Sequence, residues 1–135
     1  KFADVVPAKM HLLEPAVDDR WAARFAASAP PSSKDSNGDL RIPAGPVADI
    51  AAAEANVYPY AQDKVTCPVF VAYGDYDTVV DRAGAAAFLA RFSASPLKWM
   101  LQIDHGTHVM HLEKNRHSLY SSVQAFILAV EDRIP

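Results

Sequence analysis

At 135 residues the chain is about the size of one ordinary domain, and half of it is apolar, which is enough material for a packed core. The net charge of −3 is mild, and no basic stripe with interleaved aromatics is present, which argues against nucleic acid as a partner. No apolar run approaches the roughly 18 residues that a membrane-spanning helix needs, and the opening KFADVVPAKM lacks the apolar core and cleavage pattern of a signal peptide.

The first residue is Lys rather than Met, which reads as a processed or cleaved chain. ADVVPAKMHLL offers at best a weak strand. DDRWAARFAASA, residues 18–29, predicts a helix in which Asp18 or Asp19 caps the start and Trp21, Ala22 and Phe25 share a face. With Met10, these apolar side chains suit either a local core or a lining for an apolar ligand. PPSSKDSNGD, residues 30–39, is a polar loop, either a lid edge or a linker. IPAGPVADIAAAEA holds a second helix, with Pro46 in its first turn and Val47, Ile50 and Ala51 on one side.

Near residue 65 the pattern changes. PVFVAYG is a short, continuous apolar run rich in β-branched and aromatic residues and closed by Gly74. It predicts a strand buried on both faces, hence a parallel sheet. Just before it lies Cys67, the single cysteine, which precludes an intramolecular disulfide and reads as a small buried residue. DRAGAAAFLARFSA, residues 81–94, predicts a helix burying Ala86, Phe88, Leu89 and Phe92. LKWMLQI, residues 97–103, is a second strand, with Trp99 in the packing. NRHSLYSSVQAFILAVED closes the chain as a helix with an apolar stripe of Leu119, Val123, Phe126, Ile127 and Val130. Strand, helix, strand, helix is one βαβ unit with a following helix. Two parallel strands do not make a stable doubly wound domain, so the chain reads as the C-terminal part of a larger α/β fold.

In open parallel sheets the functional groups sit just past the C-terminal ends of the strands. The first strand is followed by GDYDTVV, offering Asp75 and Asp77, and the second by DHGTHVMH, offering His105 and His108. A carboxylate and an imidazole meeting there form the orienting and proton-accepting half of a nucleophilic triad. Metal binding competes for the dense imidazoles of HGTHVMH. Their spacing of three, with a glycine inside, suits neither a helical nor a strand ligand pair, so no metal is expected. Glu113 reads as a helix-starting charge, and His11 and His117 as solvated.

VTCPVFVAYGDYDTVV, followed some thirty residues later by GTHVMHLEKNRHSLYSSVQAFI, resembles the C-terminal end of the α/β-hydrolase fold. The likeness covers about 70 residues well and the first 64 only loosely; it divides the chain into a helical cap or lid segment, 1–64, and a C-terminal βαβα core segment, 65–135. It implies Asp77 as triad acid and His108 as base, with Asp75 the weaker alternative for the acid. It suggests Trp21, Phe25 and His111 near the substrate, His105 and His111 otherwise being surface or pocket-rim residues. The nucleophile elbow, G-x-S-x-G, is absent from the sequence. The implied partner is therefore an N-terminal part of the same hydrolase, separate or cleaved, that supplies nucleophile and oxyanion hole. The implied activity is serine-type hydrolysis of an ester, thioester, amide or lactone of small apolar acyl type, with no cofactor. Acyl transfer, C–C cleavage, and epoxide or haloalkane hydrolysis are alternatives within the fold, and a non-catalytic binding protein or inactive fragment is the alternative outside catalysis.

Overall fold

The computed structural model describes residues 12–37, 39–41 and 44–133. The strand expected over residues 3–13 falls almost wholly outside these, as do Met10 and His11; within it, Leu13 forms an isolated antiparallel bridge with Glu113. The chain divides into two compact units, one of Lys1–Asp18 with Gln62–Pro135 and one of Asp19–Ala61.

The first unit is an α/β arrangement built on two parallel strands, β1 (Val69–Gly74) and β2 (Lys98–Ile103). The register runs from Val69 opposite Lys98 to Gly74 opposite Ile103, so both strands end at the same level. Ser95 secures the start of this register, donating its hydroxyl to the carbonyls of Cys67 and Leu97 at 2.9 and 3.0 Å. A parallel pair needs a crossover, here α3 (Arg82–Ala90). Asp81 caps α3, its carboxylate accepting the amide of Gly84 at 2.7 Å. The helix turns Ala85, Phe88, Leu89 and, just beyond its end, Phe92 inward. Ala86 is exposed, contrary to expectation, and Ala85 takes its place in the core.

After β2 the chain makes a 3-10 turn at Met110–Leu112 and then α4 (Arg116–Glu131). Phe126 anchors α4 to the sheet: its ring stacks on Phe70 at 5.3 Å and meets Trp99 edge-on at 5.5 Å. Phe70 and Trp99 are register partners, so one helical ring spans both strands. The inward face of α4 is Leu119, Ser122, Phe126, Ala129 and Val130. Val123 and Ile127 of the expected stripe are exposed instead, because the helix is apolar on two sides and only one meets the sheet.

β1 is half-buried along most of its length, with only Tyr73 and Gly74 fully covered, and every second residue of β2 is exposed. Burial on both faces, expected from the sequence, is thus not reached. Each strand lacks a neighbour on its outer edge among the described residues. Cys67 is exposed rather than buried, since β1 begins two residues after it.

The second unit comprises most of α1 (Pro15–Ser28) and all of α2 (Gly45–Glu54). α1 starts before the expected cap, placing Asp18 inside its first turn rather than ahead of it. Trp21 and Phe25 stack on each other at 5.2 Å. The polar loop that follows is braced by its own side chain, Asp35, whose carboxylate accepts the amides of Asn37 and Asp39. α2 ends in a Schellman motif: the Asn56 amide bonds to the Ala53 carbonyl and the Val57 amide to that of Ala52, with Asn56 at φ 60°. Val47, Ile50 and Ala51 share a side but are exposed, and no described residue of this unit is buried. No helix among the described residues is long and apolar enough to cross a membrane.

Candidate active site

Because β1 and β2 end level, their following loops lie side by side, and they approach to backbone contact. A Cβ added to Gly74 would stand 1.9 Å from the carbonyl oxygen of Gly106. Only glycine at position 74 permits this approach. The loops are then laced together. The Tyr76 amide donates to the Gly106 carbonyl at 2.9 Å, and the Gly106 amide donates to the Asp75 carboxylate at 3.1 Å. Asp75 therefore joins loop to loop and does not face the imidazole of His108. His105, at φ 54°, makes the turn between β2 and Gly106, its ring edge-on to Tyr76 at 5.5 Å.

Across this seam Asp77 meets His108. Asp77 Oδ2 lies 3.1 Å from His108 Nδ1, while Oδ1 accepts the amides of Val79 and Val80 at 2.8 and 3.0 Å. Both carboxylate oxygens are thus occupied, one by its own turn and one by the imidazole. The Asp77 side chain is 3% exposed and that of His108 51% exposed. With the carboxylate as acceptor, Nδ1 carries the proton and donates. In the neutral ring this leaves the Nε2 lone pair available. Nε2 has no partner among the described residues. The pair is a buried, fixed acceptor holding a half-exposed imidazole whose outer nitrogen faces away from its anchor.

His108 is itself held from both sides. Thr107 is 1% exposed and Glu113 fully buried. The Glu113 carboxylate accepts the Thr107 amide at 3.3 and 3.2 Å and also accepts the Thr107 hydroxyl. The Thr107 oxygen in turn accepts the amide of Val109 at 3.3 Å. The expected role of Glu113 as a helix-starting charge is thereby replaced: it precedes α4, turns inward, and closes the histidine loop on itself. Sequence reading also passed over Thr107. The signal available was a Thr immediately before the candidate base, with a Glu six residues after it.

His111 is exposed, and its carbonyl accepts the Tyr120 hydroxyl at 3.1 Å. Trp21 and Phe25 lie in the other compact unit, where their rings stack. His105, His108 and His111 do not assemble a metal site: the described residues contain no group of three or more His, Cys, Asp or Glu able to hold an ion. Comparisons with protein-family models, curated proteins and solved structures found no match to this chain.

Proposed function

We propose that this chain is the acid-and-base half of a serine-type hydrolase of the α/β-hydrolase fold, acting on an ester, thioester, amide or lactone bond. The observation that carries the reading is the 3.1 Å contact between buried Asp77 and half-exposed His108, with Nε2 left outward. In this reading a serine hydroxyl from an N-terminal part of the hydrolase approaches Nε2. His108 takes the hydroxyl proton as the oxygen attacks the acyl carbon, then passes it to the leaving group as the tetrahedral intermediate collapses. Asp77 holds the imidazole in the Nδ1–H tautomer and stabilises the imidazolium while it exists. Backbone amides of the same N-terminal part stabilise the oxyanion.

The open edges of the two-stranded sheet support a partner that pairs with it, and the exposed apolar stripe of α2 supports a cap that is covered only on assembly. The test is made on the protein isolated from its source with whatever polypeptide accompanies it. A fluorophosphonate should label a serine on the N-terminal part, and labelling should fall by three orders of magnitude or so in His108→Ala. Labelling that is indifferent to both His108→Ala and Asp77→Asn would overturn the reading. A folded assembly that takes up no probe and hydrolyses no acyl substrate would favour a non-catalytic binding role.

A further inference from the structure

A fully buried carboxylate with no cation beside it is expensive to keep, because its desolvation must be offset by hydrogen bonds alone. Among the described residues no cation pairs with the Glu113 carboxylate: the Arg116 guanidinium donates instead to the Glu113 backbone carbonyl at 3.0 Å, and the carboxylate is served by Thr107, through one amide and one hydroxyl. The Thr107 oxygen then fixes the amide of Val109. Both backbone neighbours of His108 are therefore tied to a single buried anion. Val109, Met110 and Leu112 pack beneath, all buried, so the segment has no slack on its inner side. The Asp77 contact fixes only the ring; nothing in that contact sets where the His108 backbone stands.

We propose that Glu113 is a positioning residue for His108: acting through Thr107, its carboxylate sets the height and direction of the imidazole above the sheet. This deepens the hydrolase reading and rests on it for its catalytic consequence, though not for its structural one. The apolar neighbours supply bulk, while the Glu113–Thr107–Val109 chain supplies direction.

The decisive pair is Thr107→Val, which removes the hydroxyl at nearly constant volume, and Thr107→Ser, which restores it. In the intact hydrolase, Thr107→Val should lower kcat by about 10- to 100-fold with KM nearly unchanged, as expected for a misplaced base. Thr107→Ser should recover most of that loss. Long-range 1H–15N correlation spectra give the second readout. Wild-type His108 should show the Nδ1–H tautomer, and Thr107→Val should shift it toward a mixture while amide protection in β1 and β2 stays as in wild type. Glu113→Gln keeps one acceptor oxygen and should fall between wild type and Thr107→Val. Should it fail to fold, the Thr107 pair decides alone.

Wild-type kcat and an undisturbed His108 tautomer in folded Thr107→Val would overturn the proposal. If instead the tautomer responds as expected while activity ignores His108→Ala, the positioning role stands and the hydrolase reading falls.

Discussion

Gly74→Ala tests the seam on which the site depends. The added methyl would lie 1.9 Å from the Gly106 oxygen, 2.3 Å from its carbonyl carbon and 3.0 Å from its Cα, all of them backbone atoms. Since real Cβ contacts essentially never fall below 3.0 Å, one loop must retreat by about 1.1 Å. A retreat of that size takes the 2.9 Å bond from Tyr76 to Gly106 and the 3.1 Å bond from Gly106 to Asp75 out of hydrogen-bonding range. Each lost bond is worth about 1 kcal/mol, and relieving overpacking costs about 1–3 kcal/mol more. The expected destabilisation is about 3–5 kcal/mol, a large share of the total for a domain of this size. Chemical denaturation followed by tryptophan fluorescence measures it. Gly106→Ala is the internal control. Its Cβ meets the Ile103 oxygen at 3.0 Å and the Gly74 Cα at 3.3 Å, so a small adjustment suffices and about 1 kcal/mol is expected. Equal costs for the two variants, or a Gly74→Ala protein within about 0.5 kcal/mol of wild type, would refute the close-approach argument.

The other predictions separate chemistry from stability. Asp77→Asn should leave stability within about 1 kcal/mol, because an amide oxygen can still accept the Val79 and Val80 amides, yet lower kcat by about 10⁴-fold through loss of the imidazole tautomer; denaturation and turnover measured on one preparation check both. Phe126→Ala should cost about 2–3 kcal/mol, since the ring touches both strands but is only half-buried, and protection of α4 amides from exchange should fall with it. Asp81→Ala should cost about 1 kcal/mol by uncapping α3, seen as a lower midpoint with an unchanged denaturant slope. Asn56→Val places a β-branched residue at φ 60° and should destabilise by about 1–2 kcal/mol, with the loss confined to amides at the end of α2.

The strands and helices were legible where composition alternated clearly with punctuation. β1 is an apolar run closed by glycine, and α3 starts at an aspartate. Helix phase was less legible. In RAGAAAFLA most positions of the first two turns are alanine, so the sequence carries no preference between Ala85 and Ala86, and packing on the sheet decides. In α4 the apolar residues cover two sides, and the stripe including Val123 and Ile127 was an equally good reading until Phe126 met Phe70 and Trp99. The strand ends brought Asp75, Asp77, His105 and His108 into view, because strand-end position is a topological property that a βαβ pattern reveals; the choice of Asp77 and His108 among them came from the resemblance. The Glu113–Thr107 closure was not, because a glutamate beside a helix start gives no sign that its carboxylate will turn inward. That outcome depends on the intervening turn, whose geometry no periodicity encodes.

Asp77 lies in the loop after one strand and His108 in the loop after the other, so their meeting is a readout of how the two strands are aligned. A slip of one residue would separate them by about 3.3 Å, more than the contact itself can absorb. The same slip would carry Gly74 away from Gly106, where a neighbour bearing a Cβ finds no room. A misthreaded molecule would thus lose the carboxylate–imidazole pair as well as being sterically refused, and that pair forms only in chains whose strands have found their proper alignment.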